Sequence, residues 1–185
     1  MTVIQGQQTY NQFPAFAQPG MLSDLTYNEI RMFPAFEVIQ PGVLVELASD
    51  GLSCIQAQET GNTAINTQLG ISVLLTARES AGAFGLTAYG VGGPQYNIGD
   101  SVPVLVRGSI YAAWSGTTQH AFGSTQVNYY HSSTIATTRG VFTDAASSGV
   151  AGSEVSVAPH AIRPRQALPG TGNIILLDVN FPGAV

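Results

Sequence analysis

Short runs of β-branched and aromatic residues, separated by Gly, Pro, Asn and Asp, recur along the chain from about residue 30 onward. This pattern is typical of strands and turns. The clearest runs are VLVELAS (43–49), LGISVLL (69–75), SVPVLVRGSIYAAW (101–114), QVNYYHSS (126–133) and NIILLDVNF (173–181). Apolar residues do not keep helical spacing over the roughly ten residues that a helix needs, and only Asp24 to Arg31 and the region near Arg78 leave room for a helical turn. The pattern predicts an all-β protein, either a β-sandwich or a β-barrel.

Residues 1–30 lack this pattern and predict an extended N-terminal arm. Pro14 and Pro19 have no backbone N–H and push the preceding residues towards extended conformations, which disfavours a helix. The arm nevertheless carries many large apolar side chains: Tyr10, Phe13, Phe16, Met21, Leu22 and Tyr27. We expect these side chains to lie against a surface, which is either the protein's own body or another chain.

The remaining residues, 31–185, are predicted to form one β-rich domain, because a chain of 185 residues suits a single core. Residues 117–172 are richer in Gly, Ser, Thr and Ala. This composition indicates long surface loops or an inserted lobe.

Two stretches, 42–51 and 99–108, place glycines nine residues apart around an apolar run. Both are interpreted as strand–turn–strand units, related either by structural repetition or by coincidence. Asp50-Gly51 suits a two-residue hairpin turn that needs positive φ, and Arg107-Gly108 is a second candidate. Pro103 fits an edge strand or a bulge better than a central strand. The predicted structural turns are at Gly42, Asp50, Gly51, Gly99, Asp100 and Gly108.

Composition narrows the range of functions. Charged residues are 9% of the chain, against roughly 25% in an ordinary soluble domain. Uncharged polar groups are easier to desolvate than charges, so the surface suits coverage by neighbouring chains, although an ordinary β protein with a polar surface has the same composition. The net charge is −5 and the six basic residues are scattered arginines, so we expect no nucleic-acid partner. No apolar run reaches the roughly 18 residues of a membrane span, and the N-terminus has no secretory signal pattern, so we expect use without export.

Motifs that carry chemistry are missing from the sequence. There is no lysine, which excludes a P-loop and Schiff-base chemistry, and there is no GxSxG nucleophile elbow. His120, His131 and His160 show no metal-binding spacing, so we interpret them as ordinary loop or surface histidines rather than as a zinc site. Cys54 lies in the apolar run LSCIQ and is interpreted as a small buried hydrophobe rather than a nucleophile. No catalytic residue, metal or cofactor is predicted.

Several longer motifs follow one another in an informative order. PAFAQPGMLSD (14–24) is followed by NEIRMFPAFEVIQPGVLVEL (28–47), LGISV (69–73), YNIGDSVPVLVRGSIYAAWSG (96–116) and the terminal NIILLDVNF. In this order the chain resembles the structural cement, or capsid decoration, proteins of tailed bacteriophages. That family has an arm ending in G-M-L-x-D, a glycine-led strand and a G-D-x-V-x-V-x-x-x-G-x-I stretch. The matching residues are Gly20, Met21, Leu22, Asp24, Gly42, Gly99, Asp100, Val102, Val104, Gly108 and Ile110.

The resemblance implies a non-enzymatic all-β protein of the jelly-roll or β-tulip kind, with an extended N-terminal arm. It implies binding to the outer surface of a phage capsid and stabilisation of contacts between major capsid protein subunits. It also implies synthesis in the host cytoplasm, a place on the virion, no cofactor, no membrane, and self-association as a homotrimer in preference to a homodimer. The capsid- or subunit-binding residues would be those of the arm: Phe13, Pro14, Phe16, Pro19, Gly20, Met21, Leu22 and Asp24.

Two other functions compete with this interpretation. The first is a virion-surface glycan- or host-binding β module, whose stacking platforms would be Tyr89, Tyr96, Tyr111, Trp114, Tyr129 and Tyr130. Such aromatic residues are also common in β-sandwich cores. The second is a small hydrolase whose site carries no sequence signature, which requires a cleft with perturbed titrating groups.

Overall fold

The computed structural model describes residues 17–23, 27–58, 68–74, 95–118, 127–131, 139–144, 155–158, 161–165 and 174–181. All regular elements in these ranges are β-strands, which confirms the predicted all-β class. They are β1 (Glu29–Pro34), β2 (Leu44–Leu47), β3 (Cys54–Gln56), β4 (Gln68–Ser72), β5 (Ser101–Ala113), β6 (Asn128–Tyr130), β7 (Phe142–Thr143), β8 (Val155–Val157), β9 (Ile162–Pro164) and β10 (Ile174–Asn180). No helix in the described ranges is long and apolar enough to cross a bilayer.

The strands form two antiparallel sheets. The larger sheet has seven strands in the order β3-β2-β4-β5-β10-β9, with β1 also paired to β5. The smaller sheet has the order β7-β6-β8. Each of the five predicted apolar runs overlaps one strand, namely β2, β4, β5, β6 or β10.

Strand β5 organises the larger sheet because it pairs with β1, β4 and β10. The two halves of β5 are linked through Val73 and Leu74, which follow β4, and through Gly20. The N–H of Val73 donates to the Pro103 carbonyl (2.8 Å), while the N–H of Leu74 donates to the Gly20 carbonyl (2.8 Å). The N–H of Gly20 in turn donates to the Tyr111 carbonyl (2.6 Å). The long strand must therefore curl, and the antiparallel sheet forms a half-barrel.

Apolar side chains occupy both faces of the curled sheet. Leu44 belongs to the larger core cluster, whereas its neighbours Val43 and Val45 belong to a second cluster. This alternation is the period-two pattern of a strand that is buried on both faces. The smaller sheet contributes Tyr129 and Phe142 to the larger cluster. Part of the segment 117–172 thus completes the core.

The room left for a helical turn over Asp24 to Arg31 does not extend through Glu29, Ile30 and Arg31, because Glu29–Pro34 forms β1. The strand pairs with β5 from Glu29↔Arg107 to Pro34↔Ser101. Its backbone groups gain ladder hydrogen bonds from β5, and such tertiary pairing outweighs a weak local preference. Asp24 and the region near Arg78 lie outside the described residues.

The two glycine-bounded stretches are not repeats of one unit. The first forms the hairpin β2–β3, but the second runs straight through Gly108 as the single strand β5. The prediction of a turn at Gly108 is therefore wrong. Gly108 has φ +137°, and a Cβ there would collide with the side chain of Asn28. Glycine is needed because the incoming chain passes close to β5.

The hairpin loop between β2 and β3 has four residues, 49–52, instead of the predicted two. The N–H of Ala48 donates to the Ser53 carbonyl (2.8 Å), which closes the loop, and Gly51 alone takes a positive φ of 70°. Asp50 Oδ1 accepts hydrogen bonds from the amides of Ser53 (2.8 Å) and Leu52 (2.9 Å). Hydrogen bonds from Ser53 and Leu52 lower the pKa of the exposed Asp50 carboxyl. The Asp50 side chain thus helps to stabilise the loop, which needs only one positive-φ residue where a two-residue turn would need two.

Pro103 lies inside β5, between β1 and β4, and not on an edge strand. The β4 ladder ends at the pair Ser72↔Val104. The missing N–H of Pro103 therefore breaks no ladder bond, and its carbonyl still accepts from Val73 (2.8 Å).

Candidate functional site

The end of the arm pairs with the protein's own sheet. The N–H of Gly20 donates to the Tyr111 carbonyl (2.6 Å), and the N–H of Tyr111 donates back to the Met21 carbonyl (2.9 Å). Leu22 forms an antiparallel bridge with Ile110, and its half-buried side chain packs against the larger core cluster. Residues 20–23 thus act as a short additional strand along the second half of β5. We call residues 17–23 the docked segment.

Two motif glycines meet where the docked segment crosses the start of β2. Gly20 has φ +87°, and a Cβ there would lie 2.6 Å from the Cβ of Pro41. Gly42 has φ +78°, and a Cβ there would lie 2.7 Å from the N of Gly20. The two backbones therefore approach too closely for any side chain. The glycine of G-M-L-x-D and the glycine that leads β2 belong to one contact.

The predicted arm residues divide into two groups. Pro19, Met21 and Leu22 are half-buried and Gly20 is buried, all within the docked segment. This part of the arm lies on the protein's own body. The others, Phe13, Pro14, Phe16 and Asp24, lie outside the described residues, so contact between the arm and a capsid stays a prediction.

A second surface was not predicted from the sequence. Alternate residues of the segment 30–38 point outward and are apolar: Ile30 (39% exposed), Met32 (53%), Phe36 (53%) and Val38 (41%), with exposed Pro34 between them. We call these five residues the apolar ridge. The alternation is visible in IRMFPAFEV, but the arm boundary placed at residue 30 cut across it.

The backbone of the ridge is fixed by hydrogen bonds to two neighbouring elements. The N–H of Ala35 donates to the Asp100 carbonyl (2.8 Å) at the start of β5, and the N–H of Phe36 donates to the Cys54 carbonyl (3.0 Å) of β3. The ridge is therefore held rigidly on the sheet although its side chains are exposed.

An ion pair lies beneath the second half of the ridge. Arg139 Nη2 donates to Glu37 Oε2 (2.6 Å), and its Nη1 donates to Gln58 Oε1 (2.9 Å). The other carboxylate oxygen of Glu37 accepts from the backbone N–H of Gln56 (2.9 Å). The side chains of Arg139 and Glu37 are 10% and 23% exposed. Because Glu37 lies between Phe36 and Val38, the pair ties the ridge to the turn that carries Arg139.

No arrangement typical of catalysis occurs in the described part of the chain. Burial raises the pKa of the Cys54 thiol to about 12, so the thiol stays protonated at neutral pH and is a poor nucleophile. His131 is buried beside the Tyr129 ring, with ring centroids 6.2 Å apart, while His120 and His160 lie outside the described residues. The described ranges contain no group of three or more His, Cys, Asp or Glu that could hold a metal ion.

Four of the six aromatic residues proposed as glycan platforms are core residues. Those that are buried share exposures of 4% or less: Tyr96, Tyr111, Trp114 and Tyr129. Tyr130 is half-buried and Tyr89 lies outside the described residues. A glycan cannot stack on rings that already pack in the core, so these residues do not support the glycan-binding interpretation.

Comparison with known families shows a match over nearly the whole chain. Residues 6–180 match a family model described as structural cement protein (E217 gp24/Pam3 gp6). The match spans nearly the whole chain, including the docked segment and the apolar ridge. No curated protein matches the chain.

Proposed function

The chain belongs to the phage structural cement protein family, and from this membership we propose that it binds the outer surface of a phage capsid and stabilises contacts between major capsid protein subunits. The family match over residues 6–180 is the observation that carries the proposal. Membership indicates a structural, non-enzymatic role in the phage capsid. The finer features that we propose are synthesis in the host cytoplasm and self-association as a homotrimer in preference to a homodimer.

The mechanism that we propose is clamping without chemistry. A stable specific contact buries roughly 1,600 Å² in total, and a chain with only 9% charged residues has few charges to desolvate in such a contact. Several such contacts made by one oligomer reinforce each other through effective concentration. Neighbouring capsid subunits are then held together although each single contact is modest.

The arm is proposed to supply part of this grip. Residues 1–16 would reach across capsid subunits, with Phe13 and Phe16 filling apolar grooves and the extended backbone adding strand-like hydrogen bonds. The pairing of Gly20 with Tyr111 supports this proposal, because it gives the arm a fixed root on β5. A fixed root reduces the conformational freedom that the arm loses on binding.

The experiment removes the first part of the arm and keeps the docked segment. Deletion of residues 2–16 leaves the docked segment in place, and binding to purified heads that lack the protein is measured by co-sedimentation. Burial of two Phe side chains contributes about 3 kcal/mol or more, so we expect about a 100-fold weaker affinity. The double variant Phe13→Ser and Phe16→Ser should lose a similar factor. Undiminished binding by both variants would remove the arm from the mechanism, and no binding by the unmodified chain would refute the proposed function.

A further inference from the structure

The apolar ridge is an exposed apolar surface on a chain with few charges. Its strand part, from Ile30 to Pro34, spans roughly 13 Å at about 3.3 Å per residue, and Phe36 and Val38 continue the ridge where the chain bends. The largest apolar patch on a typical soluble monomer measures roughly 300–600 Å² and is often functional. In the part of the chain that the structure describes, neither core cluster includes the ridge side chains, and they stay exposed.

The backbone of β1 limits how another molecule can bind the ridge. The N–H of Ala35 donates to the carbonyl of Asp100, the residue before β5, so by alternation the N–H groups of residues 30, 32 and 34 face away from β5. Pro34 has no N–H, and the N–H of Phe36 already donates to the Cys54 carbonyl. On this edge only Ile30 and Met32 can donate to an added strand, and Pro34 interrupts the row of donors, which disfavours strand addition. The contact therefore uses the side-chain face of the ridge.

The charges around the ridge favour a second copy of this chain as the occupant. The whole chain carries −5, so most encounters between copies are mutually repulsive. At the ridge, Glu29 pairs with Arg31 (2.9 Å) and Glu37 pairs with Arg139 (2.6 Å). These two pairs sum to zero charge, and the outward ridge side chains are uncharged. Two ridges can thus approach each other without like-charge repulsion, and each offers the apolar surface that the other needs.

From these observations we infer that the apolar ridge is the contact between copies of this chain. The half-exposed ridge side chains present on the order of 300 Å², whereas a standard contact uses about 800 Å² per partner. The ridge would therefore form the apolar centre of the interface, with Tyr27 (85% exposed) and nearby polar groups at its rim. The inference rests on the proposed function for its purpose, because several linked copies grip a shell better than one.

Sedimentation velocity of the full chain over a concentration series tests the inference without any capsid. The unmodified chain should have the mass of two or three copies. Met32→Asp and Phe36→Asp place a charge in the contact and should each weaken association by about 100-fold or more, in line with the cost of an unpaired buried charge. Leu52→Asp is the matched control, because Leu52 is 74% exposed and lies outside the ridge. It should associate like the unmodified chain.

Three results would overturn the inference: a monomeric unmodified chain, unchanged association of both ridge variants, or equal dissociation of the Leu52 variant. Thermal melts of all variants show whether they fold, and both ridge positions are half-exposed, so folding should persist. Head binding by the same proteins distinguishes the two proposals. Ridge variants that keep their mass but lose head binding would make the ridge a capsid contact and reject self-association there. Ridge-dependent association with no head binding would reject the proposed function and leave this inference standing.

Discussion

Gly20 and Gly42 lie in the left-handed region of φ at a point where two backbones cross. Elsewhere in the chain, Gly51 has a similar φ of +70°, but nothing lies within 4 Å of a Cβ built there. The two situations differ only in the surrounding space. A comparison between them therefore separates the conformational requirement for glycine from the steric requirement.

We expect Gly20→Ala to destabilise the protein more than Gly51→Ala. An alanine in the left-handed region costs about 1–2 kcal/mol, which is the whole effect at Gly51. At Gly20 the new Cβ also meets Pro41 and the N of Leu74 (2.7 Å), which adds about 1–3 kcal/mol of overpacking. Urea unfolding of both variants measures the difference. Equal free energies of unfolding would contradict the close crossing of the docked segment over β2.

Because the Cys54 thiol is buried, we expect the free energy of unfolding to decrease at alkaline pH. Burial raises its pKa from 9.0 to about 12, so the folded state keeps the proton at a pH where the unfolded chain releases it. The stabilisation is complete below pH 9 and is lost as the pH rises through 9 towards 12. At pH 10 the expected loss is about 1.4 kcal/mol relative to pH 7.

Free energies of unfolding at pH 7, 8, 9 and 10 test this prediction, with Cys54→Ala as the comparison. The alanine variant is less stable throughout because of the lost packing, but its stability should fall less steeply above pH 9. Parallel curves for the two proteins would show that the Cys54 thiol is not protected in the fold.

At the scale of elements, the ion pair of Arg139 and Glu37 connects residues 102 positions apart in sequence. Removing one partner of a buried pair leaves the other charge uncompensated, which costs about 3–5 kcal/mol. Arg139→Met should therefore destabilise strongly. The double variant Arg139→Met with Glu37→Gln should recover part of the loss, because no unpaired charge remains. A double variant whose cost equals the sum of the single costs in chemical denaturation would show that the two groups are not coupled.

The strands that could be predicted from sequence are those with buried side chains on both faces. In β2 and β4 almost every residue is buried, and their apolar runs are continuous. By contrast, β7, β8 and β9 have two or three residues each, which is too short to show a period. The strand β1 was missed because the arm boundary was placed at residue 30, which cuts across the alternating stretch EIRMFP.

Gly108 shows why sequence alone misplaced one predicted turn. A glycine after a charged residue has the same appearance whether the chain turns there or another segment passes against it. Only the position of Asn28, which comes from elsewhere in the sequence, distinguishes the two cases. The same holds for the candidate site: the motif residues Gly20 and Gly42 were recognised separately, but their contact depends on the curl of β5.

At the scale of the whole molecule, low charge predicts how association responds to salt. Contacts between charged surfaces weaken steeply as ions screen them, because the Debye length falls from about 10 Å at 0.1 M to about 3 Å at 1 M. The proposed contacts use apolar side chains of the arm and of the ridge, and the charged groups at the ridge already pair within the chain. We therefore expect head binding and self-association to change by less than about threefold between 0.1 M and 1 M salt, since apolar burial does not depend on screening. Co-sedimentation and sedimentation velocity measure the two affinities separately. A loss of tenfold or more in either would show that this contact depends on ion pairs, and the arm or the ridge would then not be its main source of affinity.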